Sequence, residues 1–134
     1  EAHSLAQRNL AEFGYQHRVD LHEGDLFAGL EGPFDLIVAN PPYIATSEAE
    51  TLDPEVRQYE PEIALFAQDE GLEILKRIAT ESPSRSKSGT WLLMEHGHRQ
   101  GPAVRAVLGE AGYEEILTKR DLGGRERVTG GRRP

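Results

Sequence analysis

The residues best suited to chemistry are Asn40, Pro41, Pro42 and Tyr43, which directly follow the apolar run FDLIVA at positions 34–39. Two adjacent prolines end a strand, because each ring removes a backbone hydrogen-bond donor and fixes φ. The Asn40 side-chain oxygen and the Pro41 carbonyl oxygen can each accept a hydrogen bond, and the Tyr43 ring can stack on a flat group. The pattern predicts a rigid turn that offers two acceptors to a planar ligand.

Such a turn suits a nucleophile that is a planar, conjugated nitrogen, as in a carboxamide or the exocyclic amine of adenine. The lone pair of this nitrogen is delocalised, so attack requires the nitrogen to become more tetrahedral, and two acceptors for its N–H hydrogens favour that change. Holding the two reactants in line can supply several of the roughly 7–11 kcal/mol that ideal orientation gives. Neither a metal ion nor a strong general base is needed. The simpler alternative is a turn that only ends a strand.

Hydrophobic spacing predicts the elements that position this turn. Helices are predicted at residues 1–13, 69–81 and 100–112, with Gly14 and Gly112 as C-caps. Strands are predicted at 18–22, 34–39 and 90–96, followed by 113–122 and 125–133 around Gly123-Gly124. Residues 43–69 lack a clear period, which is typical of a functional loop.

This order of elements predicts an α/β fold with helices on both faces of a mostly parallel sheet. FDLIVA is apolar almost throughout, which is typical of a central strand buried on both faces. Ligands of such sheets bind beyond the carboxyl ends of the strands. Polar groups follow three predicted strands, at Gly24-Asp25, at residues 40–43 and at Glu95-His96-Gly97. We therefore expect these groups to meet at one site.

Composition restricts the class of protein. The 134 residues are 37% hydrophobic and 28% charged, which predicts one globular domain over 1–134. No apolar run approaches the roughly 20 residues of a membrane helix. The absence of cysteine excludes disulfides and thiolate metal sites and suits a reducing cytoplasm. His96 and His98 lack a third ligand, so no metal is expected. The net charge of −8 argues against sequence-independent binding along the phosphate backbone of a nucleic acid.

The turn after FDLIVA resembles the hallmark of class I S-adenosylmethionine-dependent methyltransferases that act on planar nitrogens. The resemblance narrows to the HemK/PrmC-type glutamine-N5 methyltransferases of peptide chain release factors. It rests on six stretches in order, RVDLHEGDLF, FDLIVANPPYI, VRQYEPEIAL, EGLEILKRI, WLLMEHGHRQGPAVRAVLGEAGY and TKRDLGGRERV. It implies a Rossmann-like sheet, mostly parallel with an antiparallel C-terminal strand, and transfer of a methyl group to a glutamine amide.

The same resemblance implies roles for individual residues. Asn40 and Pro41 would bind the glutamine amide and carry the catalysis, with Pro42 and Tyr43 in the wall of the pocket. Glu60 would lie near the channel for the Gly-Gly-Gln loop of the release factor. The residues on the S-adenosylmethionine side would be Asp25, Leu26 and Asn40.

Two features of the family are absent from these 134 residues, the glycine-rich loop and the acidic residue after the second strand. We therefore expect a C-terminal fragment that lacks the first strands and binds the cofactor weakly. Two alternatives stay open, a nucleic-acid adenine methyltransferase and a non-catalytic fragment. Residues 119–134 carry six basic against two acidic side chains. No nucleic-acid partner is expected except through this tail, whose charge is more simply explained as a solvated surface. No membrane partner is expected.

Overall fold

The computed structural model describes residues 1–41, 44–45, 66–67 and 71–134, with only the backbone described at 44–45 and 66–67. The chain divides into two compact units, Glu1–Glu31 and Gly32–Pro134. Within the described segments, no helix combines the length and the apolar character needed to cross a membrane.

The first unit contains one helix, α1 (Ala2–Phe13), which ends as predicted at Gly14. Gly14 adopts φ 73°, and its N–H donates to the Ala11 carbonyl, the left-handed cap that glycine adopts without strain. The predicted strand at 18–22 is wrong, because this segment is irregular. A strand needs a neighbour to pair with, and residues 1–31 contain no other extended segment; Val19 is 40% exposed.

The second unit is built on a four-stranded sheet. Its strands are β1 (Phe34–Ala39), β4 (Ser86–Glu95), β5 (Glu114–Arg120) and β6 (Glu126–Arg132), in the order β1-β4-β6-β5. β1 pairs parallel with β4, whereas β6 is antiparallel to both β4 and β5. Three strands therefore run in one direction and the C-terminal strand in the other, as predicted. The short strands β2 (Ile44–Ala45) and β3 (Phe66–Ala67) form a separate parallel pair.

Two helices cover one face of this sheet. They are α2 (Glu73–Glu81), which packs on α3 (Gly101–Glu110), and α3 in turn packs on β5 and β6. Their apolar stripes contribute buried residues to the core, Leu75, Ile78 and Ala79 from α2 and Val104, Val107 and Leu108 from α3. Leu92 and Met94 of β4 complete this core.

β1 is less buried than its sequence predicts. Ile37 is buried, but Leu36 is 54% and Val38 69% exposed, so burial on both faces is a wrong expectation for this strand. The physical reason is its place at one edge of the described sheet, where β4 is its partner. The helices α2 and α3 bury one face only.

Several element boundaries also differ from the predicted ones, among them the start of β4, the end of α3 and the start of α2, which is Glu73 rather than position 69. β4 begins at Ser86 rather than at position 90, after a 3₁₀ turn at Ser82–Arg85. The polar start of β4 is held by its backbone, since Ser86 pairs with Phe34 and the Gly89 N–H donates to the Arg133 carbonyl at 2.9 Å. Helix α3 is capped at Ala111, one residue before the predicted Gly112, which follows with φ 84°.

Close packing at the centre of the sheet gives a pair of glycine substitutions with opposite expected effects. A Cβ added at Gly130 would lie 2.7 Å from the Leu92 carbonyl oxygen, a backbone atom that cannot move without breaking the hydrogen bonds between β4 and β6. A Cβ added at Gly109 in α3 would lie 3.8 Å from Ile116. We expect Gly130→Ala to lower the free energy of unfolding by about 1–3 kcal/mol. Gly109→Ala should raise it by roughly 0.5–1 kcal/mol through helix propensity. Urea denaturation of both variants measures this, and equal effects would contradict the packing.

Candidate functional site

The carboxyl ends of β1 and β4 meet at one edge of the sheet. Ala39 is the register partner of Met94, so the residues that follow them, Asn40 and Glu95, lie at the same edge. Two of the three predicted polar groups are thus brought together. Gly24 and Asp25 lie in the other compact unit, and the prediction that they join this site stays a prediction.

Asn40 and Pro41 differ in their exposure. The Asn40 side chain is exposed and Pro41 is buried. The Asn40 side-chain oxygen is therefore open to a ligand, whereas the turn itself stays a prediction. Pro42, Tyr43 and Glu60 lie outside the described residues, and their proposed roles stay predictions.

Asp25 and Leu26 lie in a turn rather than after a strand. Asp25 is exposed, and its carbonyl accepts from the Ala28 N–H at 2.9 Å. Leu26 adopts φ 49°, a left-handed conformation that costs a non-glycine residue on the order of 1–3 kcal/mol. Residues held in such conformations cluster at ligand sites. The sequence gives no sign of this strain.

Behind the strand ends lies a buried hydrogen-bonded chain that the sequence did not predict. His96 and Thr129 are both fully buried, and His96 Nε2 lies 2.8 Å from Thr129 Oγ1. Thr129 Oγ1 lies 2.9 Å from Thr118 Oγ1, and Arg105 donates to Thr118 at 2.9 Å and to Glu126 at 3.2 Å. These residues connect α3, β5 and β6 to the turn after β4.

The direction of every bond in this chain follows from its two ends. His96 Nδ1 lies 2.8 Å from the Gly97 carbonyl oxygen, which can only accept, so Nδ1 carries a hydrogen. In the neutral ring Nε2 is then an acceptor, and the Thr129 hydroxyl donates to it. At the other end the Arg105 guanidinium can only donate to Thr118. The Thr118 hydroxyl therefore donates to Thr129.

Protonation of His96 would disturb this arrangement. A hydrogen on Nε2 would have to point at Thr129, and one threonine hydroxyl hydrogen in the chain would lose its acceptor. Burial is the main cause that lowers the pKa of His96 below its ordinary value of 6.5, and the positive charges of Arg105 and Arg127 lower it further. The bond to the Gly97 carbonyl and the charge of Glu126 oppose this shift. His96 is thus a neutral structural group, and within the described segments no cluster of three potential metal ligands occurs.

The basic residues of the tail are largely engaged within the fold. Arg127 pairs with Asp121 at 3.0 Å, Arg132 with Glu115, and the Arg133 guanidinium donates to the Ser86 carbonyl. Such pairing reduces the positive charge that the tail offers to an anionic partner.

The chain is matched by curated proteins over almost its whole length. It is 43% identical over 130 residues to a release factor glutamine methyltransferase of Geobacter sulfurreducens, covering 96% of this chain and 45% of that protein. It is also 43% identical over 133 residues to the enzyme of the same name from Deinococcus radiodurans, covering 99% of this chain and 46% of that protein. The chain is homologous to release factor glutamine methyltransferases. It spans about half the length of these relatives, and no protein-family profile matches it.

The fold agrees with this relationship. The crystal structure of a ribosomal protein L11 methylase from Lactobacillus delbrueckii subsp. bulgaricus superposes with a TM-score of 0.64, at 22% identity, covering 98% of this chain and 52% of that one. The predicted Rossmann-like α/β fold is therefore confirmed.

The hydrogen-bonded chain behind the turn gives a test of its contribution to stability. Thr129→Val removes the hydroxyl that donates to His96 and accepts from Thr118, so the buried His96 and the half-buried Thr118 each lose a partner. We expect the free energy of unfolding to fall by about 1–3 kcal/mol. Thr80→Val, at an exposed position of α2, is the matched control and should change little. Similar losses in both variants would mean that the buried chain adds nothing.

The lowered pKa of His96 also predicts a dependence of stability on pH. The unfolded chain binds a proton near pH 6.5, whereas folded His96 binds it only at lower pH, so stability is full above about pH 6.5 and is lost as the pH falls. We expect His96 to contribute a slope of up to about 1.4 kcal/mol per pH unit below this point. Denaturation between pH 7 and 5 should show a shallower slope for His96→Gln than for the unaltered protein. The same slope in both would mean that the fold does not disfavour the charged form of His96.

Proposed function

We propose that the protein methylates the side-chain amide nitrogen of a glutamine in a peptide chain release factor, with S-adenosylmethionine as methyl donor. The observation that carries this proposal is the 43% identity to a release factor glutamine methyltransferase over 96% of the chain. Those relatives are about twice as long as this chain, so their activity is proposed for it.

The turn after β1 would hold the acceptor glutamine. The exposed Asn40 side chain can accept one N–H of the amide, and the Pro41 carbonyl oxygen can accept the other. With both hydrogens held, the nitrogen is fixed in position and its lone pair is favoured for attack. Pro42 and Tyr43 would wall the pocket, and Glu60 would lie near its entrance.

The described residues fit part of an S-adenosylmethionine site. Asp25 is exposed and can accept from an amino or hydroxyl group of the adenosine, and the strained Leu26 lies next to it. No Gly-x-Gly-x-Gly run occurs in the 134 residues, so these residues account for the adenine end only. When bound, S-adenosylmethionine supplies an electrophilic methyl group on a sulfonium. Asp25 and Leu26 would contact its adenosine, and Asn40 and Pro41 would align the amide.

A protein acceptor fits the electrostatics better than a nucleic acid. The chain carries a net charge of −8, and several arginines near the sheet edge are paired internally, including Arg105 with Glu126 and Arg127 with Asp121. Contact with a phosphate backbone would need free positive charge along a surface. Because release factors act on ribosomes, the proposal also places the protein in the cytoplasm.

Asn40 gives the direct test of this proposal. Asn40→Ala removes one of the two acceptors for the glutamine amide, and we expect kcat to fall on the order of 10²-fold or more, by analogy with the loss of one oriented hydrogen bond in other active sites. The measurement is the mass gain of one methyl group on the glutamine-containing peptide of a release factor, assayed with the full-length protein and S-adenosylmethionine.

The matched control is Asn9→Ala, which removes the same side chain from an exposed position of α1. It should leave the rate unchanged. Equal activity of Asn40→Ala and the unaltered protein would remove Asn40 from the mechanism. Methyl label in adenine, with none in the release factor, would favour the nucleic-acid alternative.

A further inference from the structure

The turn between β5 and β6 presents an apolar side chain to solvent. Leu122, at the tip, is 110% exposed, the highest value among the large hydrophobic residues that the structure shows to be exposed. A fully exposed leucine side chain lacks the roughly 1.5–3 kcal/mol of stabilisation that its burial would give. Arg120 and Arg125, which flank the tip, are exposed as well.

This tip is held in a defined shape. Asp121 accepts from the Arg125 N–H at 2.9 Å and from Arg127 Nε at 3.0 Å. Its own N–H donates to the Arg125 carbonyl at 2.8 Å, and its carbonyl accepts from the Gly124 N–H at 3.0 Å. The bond from the Arg125 N–H and that from Arg127 lower the pKa of the Asp121 carboxyl, so it stays charged and keeps both bonds. Leu122 therefore projects from an ordered turn.

The turn lies on the same edge of the sheet as Asn40. β5 runs in the direction of β1 and β4, so its carboxyl end, at Arg120, is on the edge where those strands end. Backbone pairing joins β4, β6 and β5 at this edge, because Val128 of β6 pairs with both Glu95 and Lys119. In addition, the His96 N–H donates to the Arg127 carbonyl at 2.8 Å. The β5–β6 hairpin therefore extends past the edge of the sheet at which the acceptor glutamine would bind.

We propose that Leu122 and its flanking arginines are a docking contact for the protein that carries the acceptor glutamine. This inference rests on the proposed function. Leu122 would enter an apolar depression on the acceptor protein, and Arg120 and Arg125 would face acidic groups at its rim. Position supports this occupant, because the tip and Asn40 lie on the same edge of the sheet. Arg120 and Arg125 are exposed and basic in a chain of net charge −8, whereas Arg127 is paired with Asp121. A short glutamine peptide would reach Asn40 without this contact.

The test compares two substrates, a purified folded release factor and a short peptide containing its Gly-Gly-Gln sequence. In the full-length protein, Leu122→Asp should raise KM for the folded release factor roughly tenfold or more, since a buried leucine contact is lost. The KM for the peptide and kcat for both substrates should not change. Leu122→Met should restore the original KM, because methionine fills apolar space of similar volume.

The control is Leu5→Asp, the same substitution at a half-exposed position of α1, which should leave both KM values unchanged. An equal KM for the release factor in Leu122→Asp and the unaltered protein overturns the docking role. Equal losses on both substrates, or a lower thermal midpoint, also overturn it, because the tip would then support the site or another part of this chain. No methylation of either substrate by the unaltered protein is a separate outcome, which overturns the proposed function.

Discussion

The parallel pairing of β1 with β4 is the constraint on which the candidate site depends. Parallel strands bring their carboxyl ends to one edge, and the register of Ala39 with Met94 brings the residues that follow them, Asn40 and Glu95, to that edge. Two segments more than fifty residues apart in the chain thereby form one surface. The prolines after Asn40 then stop the strand at this level. A shift of the register by one residue would move the side chains of β1 to the opposite face.

The buried chain from Gly97 to Arg105 supports the same edge from inside. An imidazole and two threonine hydroxyls in a core are favourable only when each is satisfied, and here each hydroxyl both donates and accepts. Because the bonds are directional, they fix the turn after β4 more narrowly than apolar packing would. The neutral state of His96 belongs to this arrangement, since burial and the directed hydroxyls both disfavour its charge.

Local patterns were sufficient to predict most elements of the fold. The helix stripes, the Gly14 cap, the β5–β6 hairpin and the direction of the C-terminal strand follow from spacing, turn residues and the family resemblance. The segment at 18–22 alternates like a strand but lacks a partner in its unit, and pairing is not encoded in the segment itself. The exposure of Leu36 and Val38 likewise depends on which strands flank β1. His96 and Thr129 are 33 positions apart, so their contact could not be predicted from spacing, although threonines on the inward face of two strands are a signal that polar partners are required.

The place of β6 in the sheet has a consequence for the order of folding. β5 is made before β6, yet in the described sheet its neighbour is β6, which itself lies between β5 and β4. During synthesis β5 has no sheet to join until residues up to Arg132 have left the ribosome. Register partners such as Leu92 and Gly131 are far apart in the sequence, so the long loop between them closes late in folding. The newly made chain thus passes through a stage in which the β4 edge is open, and the last strand closes it.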